Sequence, residues 1–108
     1  MFLLVIGTYA QSTNPIDYQP IFQVGATTHL VDTQSIQIVS NGNRVFWSAH
    51  WYRNFLVLTS IEVNCVRKSV RMRTIRFLDG NRSYDVNKVT PWLRPDLTSV
   101  QYVRFACS

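Results

Sequence analysis

Across residues 27–86 apolar and polar positions alternate in short runs, and polar breaks separate the runs. Alternation with a period of two sends successive side chains to opposite faces, which is the signature of a strand. Residues 28–31 read as a first strand, broken by Asp32-Thr33-Gln34. Residues 35–39 form a second, and Asn41-Gly42-Asn43 after it predicts a hairpin, because Asn and Gly accept positive φ. Residues 44–52 put Val45, Trp47, Ala49 and Trp51 on one face and Arg44, Phe46, Ser48 and His50 on the other. Neither face is wholly polar, so this strand belongs inside a sheet with cover on both sides. Arg53-Asn54 is a tight connection to a long strand over residues 55–65. Phe55, Val57, Thr59, Ile61, Val63 and Cys65 share one face of that strand, and Ser60, Glu62 and Asn64 the other. Residues 66–78 continue with little turn signal between, Asp79-Gly80-Asn81 turns the chain, and residues 82–86 make a short last strand.

The period then changes. Pro91, Trp92 and Pro95 mark an irregular link, and beyond it Leu97, Val100, Val103 and Cys107 fall on one helical face. Pro95 or Asp96 can open that helix, one by its fixed φ and the other as an N-cap. The expected fold is α+β and mainly β: an antiparallel sheet of about six strands with one C-terminal helix packed on it.

Composition changes the picture at the N-terminus. The apolar run Phe2-Leu3-Leu4-Val5-Ile6, followed by the small residues Thr8 and Ala10, resembles the end of a secretory signal. The run is too short to span a bilayer. Residues 1–10 are therefore read as a signal-peptide remnant, 11–26 as a polar leader or extended arm, and 27–108 as one domain. Export gives meaning to the two cysteines, Cys65 and Cys107. An even pair in an oxidising compartment is most simply a disulfide. Closing a loop of that length stabilises by about 4 kcal/mol in the chain-entropy treatment. The rival is a metal site that adds His29 and His50, but no CxxC or HxxxH spacing supports it. The bridge would staple the helix to the sheet face that carries Ile61 and Val63.

Charge singles out one stretch. The net charge is +5, and every Lys and Arg lies from Arg44 onward. The run NCVRKSVRMRTIRF gathers Arg67, Lys68, Arg71, Arg73 and Arg76 with no acid among them. By strand parity Arg67, Ser69, Arg71 and Arg73 share a face opposite Val66, Val70 and Met72, with Lys68 as an exception that can snorkel. Ile75 and Phe77 reverse the phase, which predicts a β-bulge near residues 73–76. Such a face is either solvated surface or a docking site for an acidic partner. Nucleic acid is disfavoured: single-strand binders need aromatic platforms beside the charge, and Phe77 is the first aromatic here. Enzymatic chemistry has no carrier. Phosphate-binding glycine loops and a GxSxG elbow are missing, the acids are scattered beside turns, and neither a metal nor a cofactor is called for. Asn81-Arg82-Ser83 matches the glycosylation sequon, which has meaning only in a eukaryotic secretory path.

The ordered pieces resemble a known family. Val31-Asp32-Thr33-Gln34-Ser35-Ile36 with Val45-Phe46-Trp47 is similar to the opening hairpin of the bacterial surface-adhesin protein E family. Ser60-Ile61-Glu62-Val63-Asn64-Cys65, then Trp92-Leu93-Arg94-Pro95-Asp96 and the closing Ala106-Cys107, resemble its cysteine-ending strand, last link and helix end. The resemblance implies a small exported domain, periplasmic, on the outer-membrane surface or secreted, with a sheet, one helix and one disulfide. It implies binding of host extracellular proteins such as vitronectin, laminin or plasminogen. Carried over by position, the binding residues are Ser60, Glu62, Asn64, Arg67, Lys68, Arg71 and Arg73. The family's lipid-bearing cysteine has no counterpart, and its long loop between central strands is reduced to Arg53-Asn54. The resulting expectation is a non-enzymatic exported protein-binding domain. The alternative is a structural or accessory subunit of a bacterial envelope assembly, homo-oligomeric through its sheet edge and the aromatics Phe46, Tyr52 and Tyr84.

Overall fold

The computed structural model describes residues 18–93 and 96–107. The signal-peptide and leader readings over residues 1–17 lie outside the described residues. Strands β1 (Gln19–Val24), β2 (Thr27–Val31), β3 (Gln37–Ile38), β4 (Arg44–Tyr52), β5 (Phe55–Asn64), β6 (Ser69–Asp79) and β7 (Arg82–Val86) form one antiparallel sheet, and α1 (Leu97–Cys107) closes the chain. The strand order is β1-β2-β4-β5-β6-β7, with β3 paired to β4 beside the end of β2. The sheet therefore holds seven strands, and the additional one is β1. It occupies part of the segment, residues 11–26, expected to be a polar leader or extended arm. An edge strand is where a proline costs no ladder bond, and Pro20 sits there beside a register shift at Ile21.

Local chemistry explains the breaks. After β2, the Asp32 side chain accepts from the Gln34 amide at 3.1 Å and caps a short 3-10 turn, Thr33–Ser35. The Ser35 hydroxyl then accepts from the Trp47 amide at 2.9 Å, so the edge of β4 stays satisfied where β2 has left it. Gly42 turns β3 into β4 at φ 84°, a region where a Cβ is costly. Arg53 and Lys68 take positive φ of 55° and 56° at the β4–β5 and β5–β6 turns. The expected bulge is present. Ser60 pairs with Thr74 but Ile61 pairs with Met72, which leaves Arg73 as the extra residue and reverses the face of everything after it.

Both faces of the central strands are covered. Under α1 lie Val31, Phe46, Ile61, Val63 and Val70 with Tyr102 and Ala106 of the helix. Phe46 is fully buried, with ring centroids 5.7 Å from Tyr102 and 5.2 Å from Phe105. Burying such a side chain stabilises by about 1.5–3 kcal/mol. Phe46 is thus a core residue and not the exposed aromatic expected from the pattern, whereas Tyr52 and Tyr84 are exposed. Tyr18, Ala49, Leu56 and Leu58 pack on the opposite face.

The helix begins as the residues suggest. Asp96 accepts from the Ser99 amide at 2.8 Å while Ser99 Oγ accepts from the Asp96 amide at 2.7 Å, a reciprocal cap. Its buried face is rotated from the expected one, of which Val103 and Cys107 pack against the core and Leu97 and Val100 do not. Ser99, Tyr102 and Ala106 point inward, and Leu97 is 74% exposed and Val100 38%. Spacings of three and four set this stripe as well as the other. The aromatic ring of Tyr102 and the small Ala106 fit over Phe46 and Val63, and the Cys65–Cys107 disulfide holds the last turn with its Cα atoms 5.7 Å apart. Arg44 adds a second clamp by donating to the Ala106 carbonyl at 2.6 Å, where the helix dipole is negative. Among the described residues no helix is long and apolar enough to cross a membrane.

Candidate functional site

The basic run divides once its partners are known. On the face away from α1, Arg71 Nε donates to Glu62 Oε1 at 3.0 Å, and Asn43 Nδ2 donates to Glu62 Oε2 at 2.7 Å. Glu62 is only 4% exposed. Burial alone would raise its carboxyl pKa. The hydrogen bonds from Asn43 and Arg71, with the charges of Arg71 and Arg73, outweigh that and hold it below the usual range. The Arg71 guanidinium lies 4.4 Å from the Trp92 ring centroid, a cation–π contact that seats it further. Arg76 is held in the same manner by Asp85, with two bonds of 2.8 and 3.0 Å, and by Trp47. Arg71 and Arg76 are therefore internal ties of the sheet.

Ser60 is buried, and Asn64 directs Oδ1 back to the amides of Val66 and Arg67, both at 3.0 Å. That bond shapes the turn between β5 and β6. What reaches solvent is the turn with Val66, Arg67 and Lys68, together with Arg73 on its bulge. Arg67 and Lys68 stand in this turn, not on a continuous strand face. The side chains of Arg67, Lys68 and Arg73 form no ion pair among the described residues. Of the seven binding candidates, the geometry presents Arg67, Lys68 and Arg73 outward, and Ser60, Glu62, Asn64 and Arg71 build the support beneath them.

A second feature lies on the helix-covered face. A cavity of about 170 Å³ opens beside the first turn of α1, lined by His29, His50, Ser48, Thr59 and Tyr102 over an apolar floor that includes Met72. His29 is stacked on Phe22 with centroids 4.7 Å apart, and its Nδ1 is 3.1 Å from the Tyr102 hydroxyl. Burial lowers both histidines below the ordinary value of 6.5, and His29 is lowered further by His50. Burial also pushes the Tyr102 phenol up to about 12, against a hydrogen bond from Ser48 that favours the opposite direction. The residues lining this cavity come from β2, β4, β5, β6 and α1 and from the link before the helix, which contributes Leu93 and Asp96, the acid that caps α1. Their positions in the sequence carry no short motif, so spacing alone does not bring them together.

Comparison with protein-family models, curated proteins and solved structures returns no match to this chain.

Proposed function

We propose that the chain is a non-enzymatic exported domain that binds an acidic protein surface through the β5–β6 turn. The observation that carries this reading is the division within the basic run: Arg71 and Arg76 are neutralised internally, and Arg67, Lys68 and Arg73 are left facing solvent. Val66, 92% exposed at the same turn, adds an apolar contact within the charged rim. Interfaces commonly place an apolar group inside a polar border. The Cys65–Cys107 disulfide, directly before the turn, limits its freedom and so reduces the ordering cost of binding. Disulfides persist in oxidising compartments, which supports an exported location. A host extracellular protein or an envelope component would be the partner.

A direct test uses the full chain and an Arg67→Ala/Lys68→Ala/Arg73→Ala variant, captured on immobilised vitronectin, laminin and plasminogen at rising salt. The expected result is capture by the unaltered chain that weakens with salt and is at least tenfold weaker in the variant. Equal capture by both would exclude this face.

A second reading, a subunit of an envelope assembly, draws on Trp51 and Tyr52, each 56% exposed at the end of β4, and on the exposed edge strand β7 with Tyr84. Sedimentation at high concentration separates the two: a strictly monomeric chain counts against assembly.

A further inference from the structure

His29 and His50 are the only histidines of the chain, and the sheet brings them together. Leu30 pairs with Ala49 and Val31 with Ser48, so one further step of the same register sets His29 opposite His50 on the face under α1. Their ring centroids are 5.4 Å apart. Two imidazoles that share one ion at about 2.0–2.1 Å per nitrogen hold their centroids about 5 Å apart at a tetrahedral angle and about 4.5 Å apart at the right angle copper(II) prefers, so the observed spacing suits a common ligand after a small closing movement of the rings.

We propose that His29 and His50 form a two-imidazole site for a divalent transition-metal ion, with copper(II) held most tightly. Three further features support the assignment. The Tyr102 hydroxyl lies 3.1 Å from His29 Nδ1, where it orients the ring; in the tautomer that carries its proton on Nδ1, the Nε2 lone pair is free. Ligating histidines are ordinarily oriented in this way by a partner on the other ring nitrogen. Neither ring is engaged in an ion pair among the described residues, so both can ligate in the neutral form. The adjoining cavity of about 170 Å³ has room for water, and the hydroxyls of Ser48 and Thr59 line it. Among the described residues no third His, Cys, Asp or Glu joins the pair. Water therefore completes the shell, and binding is weaker than at a closed structural site. The preference for copper follows the general order of divalent affinities for nitrogen ligands. Magnesium, which takes oxygen ligands, is excluded.

The test is calorimetric titration of the full chain with copper(II), zinc and magnesium chlorides, repeated on His29→Asn, His50→Asn and the double variant. The expected outcome is one equivalent of copper bound tighter than zinc, no heat with magnesium, and affinity at least tenfold weaker in each single variant. Electron spin-echo modulation of the copper-loaded unaltered chain gives a readout that does not depend on variants folding. Because the chain has no other histidine, signals from two imidazoles on one ion support the site. One imidazole or none, or equal copper affinity in the unaltered chain and the folded double variant, overturns it.

Discussion

Replacing both Cys65 and Cys107 by alanine tests what holds the helix to the sheet. The bond joins residues 42 apart in sequence. Releasing a closed loop of that size returns entropy to the unfolded chain worth about 4 kcal/mol. A domain of this size loses about 4–8 °C of melting temperature per kcal/mol, so the variant should melt about 15–30 °C lower. The loss has a local component as well. α1 spans Leu97–Cys107, a length marginal for an isolated helix. Without the bridge it rests on Tyr102 and Ala106 in the core and on the Arg44 bond to the Ala106 carbonyl. Thermal and urea melts by circular dichroism read the global term, and amide exchange along α1 reads the local one. The urea slope should rise, because the unlinked denatured chain exposes more surface. A variant melting within about 5 °C of the oxidised protein, with unchanged slope, would refute the reasoning that the bridge acts on the unfolded ensemble.

Glu62→Gln removes the charge that Arg71 and Asn43 share, and should destabilise by about 1–3 kcal/mol in urea melts; a neutral result would show that the pair contributes nothing net. Acid should destabilise the fold in two stages. The histidines are depressed below 6.5 in the folded state, so the unfolded chain binds their protons first; stability is full above that pH and falls as pH drops through the lowered values. Glu62, depressed below 4.5, adds a second loss on further acidification through its own folded value. Melting temperature measured from pH 8 to pH 3 checks both stages, and His29→Asn/His50→Asn should flatten the upper one while leaving the lower.

The central strands were legible because their burial is periodic: Val45, Trp47, Ala49 and Trp51 alternate with Phe46, Ser48 and His50, and β4 does lie inside the sheet with cover on both faces. The phase reversal at Ile75 likewise located a bulge, since one extra residue is the cheapest way to keep Met72 and Ile75 on the covered face. β1 was not legible. Pro20 and the shift at Ile21 erase its alternation, and only the partner strand β2 makes Gln19–Val24 extended. The helix was legible as a helix but not in its rotation, because Leu97 and Val100 offer an apolar stripe as regular as the one through Tyr102 and Ala106. For the basic run, the count of cations was plain and their availability was not. Glu62 and Asp85 are distant in sequence from Arg71 and Arg76, and pairing across β5–β6 and β6–β7 is what joins them. The same argument applies to His29 and His50: motif spacing is local, whereas register acts between strands. A chemically loaded cross-strand pair can therefore leave no trace in any short window of sequence. In a sheet protein, unmatched histidines and unpaired charges are better sought along the ladders than along the chain.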